Sequence, residues 1–176
     1  VVQMAQEQRP QTGTAGEMRR RVIEQTERGA GIARGMLAFA RPAPPRRQHF
    51  PLAELVERVV KLQKQPLANE NISVRVLIDG GLTAFADPGQ MEQVLVNLLL
   101  NARHALHPKR GGSIRIAAHV RDGFLRLSVT DDGIGMSEEV RQKALLPFFT
   151  TKGGFSTDAR HEGSGLGLSI IDAIVR

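Results

Sequence analysis

The 176-residue sequence contains no cysteine, tryptophan or tyrosine, and aromatic residues make up only 4% of it. Without cysteine, the chain can form neither a disulfide framework nor a thiolate metal site. No apolar run reaches the roughly 18 residues that a membrane-spanning helix needs, and the start of the chain lacks signal-peptide regions. We therefore expect a cytoplasmic globular segment that makes no membrane contact itself, which is compatible with a membrane-anchored parent protein.

Acidic residues are scarce at the start of the chain. Residues 1–50 hold nine Lys or Arg and four Asp or Glu, whereas residues 51–176 hold fifteen and fourteen. Nucleic-acid binders usually combine a basic patch with aromatic side chains, and residues 1–50 contain only Phe39 and Phe50 as aromatics. We interpret the excess positive charge as a solvated basic surface, and we expect no nucleic-acid partner.

A heptad-like pattern runs through residues 17–40. Seven residues recur there at alternating steps of four and three: Met18, Val22, Gln25, Gly29, Ile32, Met36 and Phe39. This spacing is typical of a helix that packs against a partner helix, and the prolines of residues 41–47 cannot continue it. We predict a helical segment over residues 1–41, a Pro/Arg-rich linker over residues 42–49 and a separate domain over residues 50–176.

Residues 50–176 alternate between helical and strand patterns. Apolar periodicity predicts helices from residue 52 to 63 and from 87 to 106, the second capped by Asp87. Residues 71–79, 111–120 and 124–130 alternate apolar and polar side chains, which predicts strands, the last two forming a hairpin. Shorter helices are predicted at 137–146 and 166–176, with a polar loop at 149–165 between them. We expect antiparallel strands in an α+β fold, a two-layer α/β sandwich with the helices on one side of the sheet.

A row of amides lies on the second of these helices. Gln93, Asn97 and Asn101 are four residues apart and therefore share one helix face. Amide oxygens are ligands that suit Mg²⁺, usually together with phosphate oxygens and water. The alternative interpretation is a solvated helix edge.

Two adjacent carboxylates follow a predicted strand and lead into a Gly-x-Gly pattern, Asp131 to Gly135. A carboxylate at a strand end can accept a hydrogen bond from the exocyclic amine of adenine. Glycines allow the backbone to approach a flat ring closely. The alternative is an ordinary loop that leads to the next helix.

A third pattern places glycines at residues 163, 165 and 167, directly before the last predicted helix. Unpaired N–H groups at a helix N-terminus attract phosphate. The alternative is a flexible loop before a capped helix.

Taken in order, these patterns resemble the ATP-binding domain of sensor histidine kinases of two-component systems, within the GHKL group that shares the Bergerat fold. The resemblance covers residues 50–176, and TERGAGIARGMLAFAR (26–41) resembles the second helix of the family's dimerisation bundle. Its four motifs are the N box QVLVNLLLNARHAL (93–106), the G1 box DDGIGM (131–136), the F box PFFTTK (147–152) and the G2 box GSGLGLSI (163–170).

The resemblance implies that ATP and Mg²⁺ are the cofactors. Asp131 is implied as the adenine acceptor, Asn101 as the magnesium ligand and Lys152 as a phosphate contact. Asp132 stands where the family more often has asparagine, and His104 has an exposed helix histidine as its alternative interpretation. The implied ATP-binding residues are Asn97, Asn101, His104, Asp131, Gly133, Gly135, Thr151, Lys152, Gly163, Ser164, Gly165, Leu166, Gly167 and Leu168.

The implied activity is transfer of the ATP γ-phosphoryl group to a histidine outside this chain, since none of its five histidines has the family's acceptor pattern. The implied partners are a response-regulator receiver domain and a second copy of the chain, joined through the helical bundle. We expect a chain truncated at both ends, with the family's C-terminal strands missing. The alternatives are a nucleotide-binding switch or pseudokinase module without transfer, and a GHKL ATPase.

Overall fold

The computed structural model describes Met18, residues 44–151 and residues 165–176. The predicted bundle helix and most of the predicted loop at 149–165 therefore lie outside the described residues. The strands are β1 (Gln48–Pro51), β2 (Ile72–Leu77), β3 (Thr83–Ala86), β4 (Gly112–Arg121) and β5 (Phe124–Asp131). The helices are α1 (Leu52–Asn69), α2 (Pro88–Leu106), α3 (Glu138–Lys143) and α4 (Gly167–Val175), with a 3₁₀ turn at His107–Lys109.

The start of α2 follows the predicted capping chemistry. Asp87 Oδ1 accepts hydrogen bonds from the backbone N–H groups of Gly89 and Gln90, at 2.9 and 3.2 Å. Asp87 Oδ2 accepts a third, at 2.7 Å, from the backbone N–H of Arg46, which precedes β1. These three bonds hold the pKa of the Asp87 carboxyl below its usual value, with the bond from Arg46 as the largest cause.

Helix α1 is longer than the pattern predicts. It continues through Pro66 to Asn69, because Leu67 in its last turn is only 2% exposed and joins the core. Helix α3 is shorter than predicted and ends at Lys143. Its predicted cap is confirmed, since the Ser137 hydroxyl accepts from the N–H of Val140 at 3.3 Å.

The main sheet has the order β2-β4-β5 and is mixed. Strands β4 and β5 form the predicted hairpin, and their connecting residues Asp122 and Gly123 have φ values of 55° and 76°, as a tight two-residue turn requires. Strand β2 instead pairs with β4 in parallel, from Ile72 opposite Gly112 onward, so the expectation of an antiparallel pairing there is wrong. The long connection through α2 makes the parallel crossover possible.

A second, two-stranded sheet was absent from the sequence prediction. Strands β1 and β3 pair antiparallel, with His49 opposite Phe85, and their rings lie 4.8 Å apart between centroids. Strand β1 begins at Gln48, inside the segment predicted as linker.

The core lies between the main sheet and helices α1 and α2, which confirms the α+β fold with helices on one side. Eleven of its buried residues come from α1, α2 and β4: Leu52, Leu55, Val56, Val59, Leu67, Leu95, Leu99, Ala102, Leu106, Ile114 and Ile116. Helix α4 packs against α2. None of the helices in the described part of the chain is both long and apolar enough to span a membrane.

Candidate functional site

Asp131 is the last residue of β5, in the row of side chains that faces the helices. Its carboxylate is partly buried, and Oδ1 accepts from the backbone N–H of Gly133 at 3.0 Å. Oδ2 has no hydrogen bond with any described residue. One carboxylate oxygen thus fixes the orientation of the group while the other can accept from a ligand.

Gly133 brings the turn after β5 into contact with α2. A Cβ atom built on Gly133 would lie 2.6 Å from Ala105 Cβ and 2.7 Å from its carbonyl oxygen, so no larger residue fits without a shift. The N–H of Ile134 donates to that carbonyl oxygen at 3.1 Å. Gly135 has a φ of 67° with open space around its Cβ position. Gly133 therefore serves close packing, and Gly135 serves the turn.

Asp132 points away from Asp131, toward the start of β4. Its carboxylate accepts from Ser113 twice, from the backbone N–H at 2.8 Å and from the hydroxyl at 3.1 Å. Its carbonyl oxygen accepts from the Lys109 ammonium. The bond from the Ser113 N–H is the main reason why the pKa of the Asp132 carboxyl lies below its usual value. Sequence patterns could not have shown this role, because its partners are distant in sequence.

The amide row of α2 faces the start of α4. A Cβ built on Gly167 would lie 3.6 Å from Asn97 Oδ1 and 3.9 Å from Asn101 Nδ2. Asn101 Nδ2 is buried and has no hydrogen-bond partner within the described ranges. Two predicted motifs are thus brought together, and a buried polar group between them is left without the partner that such groups usually have.

The orientation of α2 is also fixed by an ion pair that the sequence did not reveal. Arg103 Nε donates to Glu70 Oε2 at 2.9 Å, and Arg103 Nη2 donates to Glu70 Oε1. The bond to Glu70 raises the pKa of Arg103 above its usual value. This bidentate pair joins α2 to the end of α1. The neighbouring His104 is partly buried rather than fully exposed.

Gly165 packs against the backbone of Phe148. A Cβ on Gly165, which has a φ of 69°, would lie 2.5 Å from the Phe148 carbonyl carbon. Phe148 itself has a φ of 64° and is 62% exposed, whereas Phe149 is partly buried. The F box and the G2 box, which are separated in sequence by residues 153–162, therefore meet in space at Phe148 and Gly165.

The residues after Gly165 anchor α4. The Leu166 carbonyl oxygen accepts from the hydroxyl of Ser169 and from the N–H of Ile170, both at 2.9 Å. Leu166 is buried and Leu168 is partly buried.

Some predicted site residues are not placed. Thr151 is exposed at the end of a described segment. Lys152, Gly163 and Ser164 lie outside the described residues, so their assigned roles stay predictions.

In the part of the chain that the structure describes, the side chains around α2 could supply amide oxygens to Mg²⁺, but no cluster of carboxylates. The described residues contain no group of three or more His, Cys, Asp or Glu side chains that could hold a metal ion. A site at Asn101 would therefore supply one or two amide oxygens and depend on phosphate oxygens and water for the rest, a common arrangement for Mg²⁺. The unpartnered atom of Asn101, Nδ2, is a hydrogen-bond donor, so it fits a phosphate oxygen and not the metal ion itself.

Comparison with known proteins assigns residues 86–176 to the family described as histidine kinase-, DNA gyrase B-, and HSP90-like ATPase. Sensor histidine kinase ZraS of Klebsiella oxytoca is 33% identical over 171 residues, which is 96% of this chain and 35% of that protein. The C4-dicarboxylate transport sensor protein DctB of Rhizobium meliloti is 33% identical over 95% of this chain and 26% of its own. The chain thus spans about a third or less of these curated relatives.

Among solved structures, a nucleotide-free catalytic domain of histidine kinase ThkA has a TM-score of 0.62 and 32% identity. The match covers 73% of this chain and 78% of that one.

Proposed function

The chain belongs to the family of histidine kinase-, DNA gyrase B- and HSP90-like ATPases, with a catalytic domain of the sensor histidine kinase type, and we propose that it transfers the γ-phosphoryl group of Mg-ATP to a histidine outside this chain. The observation that carries this proposal is the convergence on α2. The G1 turn packs on Ala105 and the G2 glycine Gly167 approaches Asn97 and Asn101, so two motifs distant in sequence pack against the helix that carries the N box.

Asp131 is proposed to bind the adenine. Its Oδ1 is held by the Gly133 N–H, while Oδ2 accepts from the exocyclic amine. A carboxylate accepts without donating, so it selects an amino group over a carbonyl oxygen and thereby favours adenine over guanine at this position.

The start of α4 is proposed to bind the phosphates. The first N–H groups of a helix have no intrahelical partner, and here they lie at Gly167 and Leu168, beside the amides of Asn97 and Asn101. Lys152, Gly163, Ser164, Gly165 and Leu166 are proposed to contribute from the F and G2 boxes, with His104 and Thr151 as further phosphate contacts. Magnesium, when bound through Asn101, neutralises phosphate charge.

The transfer itself requires the acceptor histidine to stand in line with the γ-phosphoryl group. We propose that a dimeric helical bundle, to which residues 1–41 contribute one helix, presents that histidine in the cytoplasm. A receiver domain of a response regulator then takes the phosphoryl group on an aspartate. A structural relative supports this choice: histidine kinase ThkA in complex with the response regulator protein TrrA is 27% identical, with a TM-score of 0.67.

The proposal is tested by incubating the chain with γ-labelled ATP and a separate bundle that carries the missing first helix. We expect acid-labile label on the bundle and none on the chain alone. As a control, the Asp131→Asn variant of the chain should put much less label on the bundle. ATP binding without label would favour the nucleotide-binding switch. Release of phosphate without label on the bundle would favour the GHKL ATPase.

A further inference from the structure

On the face of the main sheet that points away from α1 and α2, the strand residues include basic side chains and no acidic one. The carboxylate of Asp132, which directly follows β5, lies against Ser113 at one end of this face. The alternation of burial places twelve side chains of β2, β4 and β5 on this outer face: Ser73, Arg75, Leu77, Ser113, Arg115, Ala117, His119, Arg121, Phe124, Arg126, Ser128 and Thr130. Four of them are arginines, one is a histidine and none is acidic. All five are exposed.

Three of these four arginines lack, within the described part of the chain, the acidic partners that other cations of the domain have. Arg58 pairs with Glu92, and Lys143 pairs with Glu139. By contrast, no described residue forms an ion pair or a hydrogen bond with the side chains of Arg75, Arg115, Arg126 or His119. Arg121 alone has an acidic neighbour, Asp122 in the hairpin turn, at 3.5 Å.

The register sets two arginines directly opposite one another, since Arg75 is the partner of Arg115 in the parallel ladder. In the hairpin, His119 is the partner of Arg126. Cross-strand neighbours lie about 5 Å apart, and like charges at that position destabilise a sheet. The isolated domain therefore gains no stability from this arrangement, even though residues 51–176 as a whole hold nearly equal numbers of basic and acidic residues.

We propose that this outer sheet face is a docking surface for an acidic surface of a partner protein. Arginine binds carboxylates through two parallel hydrogen bonds, and Arg75, Arg115 and Arg126 have no carboxylate partner among the described residues, so an acidic surface complements this face. The middle of the face holds the small residues Ala117 and Ser128, which leaves room for a partner element between the guanidinium groups.

Two other anionic partners fit this face less well. Sheet surfaces that bind RNA stack bases on aromatic side chains, but the single aromatic here, Phe124, lies at the hairpin end. Membrane-surface binding needs contiguous apolar side chains that can insert, and the two large ones, Leu77 and Phe124, lie on different edge strands. A protein partner is therefore the occupant that the face favours.

The test uses the complete chain and a fluorescent peptide of about twelve glutamates, measured by anisotropy at low and at moderate salt. The double variant Arg75→Glu/Arg115→Glu is compared with Lys61→Glu/Lys64→Glu, which reverses two exposed charges on α1 that form no ion pair with a described residue. We expect the sheet variant to weaken peptide binding by about tenfold or more and the α1 variant by less than about twofold. Equal weakening would show that only net charge matters and would overturn the proposal.

A second comparison separates the anionic partners. A DNA duplex, a single-stranded RNA and vesicles rich in phosphatidylserine are titrated beside the peptide at the same salt. Tighter binding of a nucleic acid or of vesicles through Arg75 and Arg115 would reject the protein partner in favour of that class. Binding of an ATP analogue is expected to be unchanged in the sheet variant, so failure here is distinct from failure of the proposed kinase function.

A stability measurement excludes a merely structural role. Arg115→Glu places a carboxylate opposite Arg75, so we expect an unchanged or higher Tm together with weaker peptide binding. A higher Tm with weaker peptide binding is the result expected when a residue is kept for binding at the expense of stability. A lower Tm with unchanged peptide binding would show that Arg115 serves the fold instead.

Discussion

The carboxylate of Asp132 clamps Ser113 by accepting from both its backbone N–H and its hydroxyl. The Asp132 N–H in turn donates to the Ser113 carbonyl oxygen at 3.3 Å. This reciprocal contact closes the end of the β4–β5 ladder and so fixes the residue before it, Asp131. An asparagine at position 132 would have one acceptor oxygen instead of two and would carry no charge.

We therefore predict that Asp132→Asn lowers the Tm at neutral pH. The folded-state pKa of Asp132 is depressed, so its stabilising effect is present above the unfolded value of 3.8 and is lost as the pH falls through the folded value. Thermal melts of both proteins between pH 7 and pH 2 measure this. The difference in Tm should shrink below about pH 4, and a difference independent of pH would contradict the clamp.

Asp131→Asn is predicted to weaken ATP binding by about ten- to a hundredfold, because loss of one charge-assisted hydrogen bond costs roughly 1.5–3 kcal/mol. Calorimetric titration with ATP measures the effect. Asp122→Asn, the same change at the exposed hairpin turn, is the matched control and should bind as the parent does. Equal affinity of the Asp131 variant and the parent would remove adenine from this site.

Asn101→Ala is predicted to weaken binding of Mg-ATP by about tenfold while leaving adenosine binding nearly unchanged, because the residue faces the phosphate end of the site. Gln93→Ala, two turns earlier on the same helix face, serves as the control. If adenosine and Mg-ATP weaken in parallel, Asn101 acts on the fold and the magnesium role is wrong.

Gly133→Ala is predicted to destabilise the domain by roughly 1–3 kcal/mol, since the added methyl group meets the backbone and Cβ of Ala105 and neither can easily move. Urea unfolding measures the loss. Gly80→Ala is the control, because its Cβ position has nothing within 4 Å. Similar stability of the two variants would show that the turn can shift away from α2 without cost.

Local chemistry explains which parts of the fold could be predicted. Helix α2 has its own cap in Asp87, and the β4–β5 hairpin has its own turn, so both could be located from neighbouring residues. Strands β1 and β3 are four residues long, and their sequences, QHFP and TAFA, do not alternate apolar and polar residues. Their pairing arises from packing over long sequence distances, and the same holds for the parallel pairing of β2 with β4.

The candidate site divides in the same way. Each motif alone was weak, but the motifs that contain Asp131 and Gly167 both pack against α2, the helix that carries Asn101. The roles assigned to these residues stay predictions. The clamp between Asp132 and Ser113 and the pair between Arg103 and Glu70 span 19 and 33 residues. No short pattern contains both partners of either contact, so only the folded chain reveals them.

The carboxylate of Asp87 forms hydrogen bonds with two separate parts of the chain. It bonds the backbone at Arg46, before β1, and the first turn of α2. Asn101 lies fourteen residues further along that helix, or roughly 21 Å at 1.5 Å per residue. A displacement of the residues before β1 would therefore act on the N-terminus of α2. The C-terminal half of the same helix carries the amides proposed to hold the phosphates.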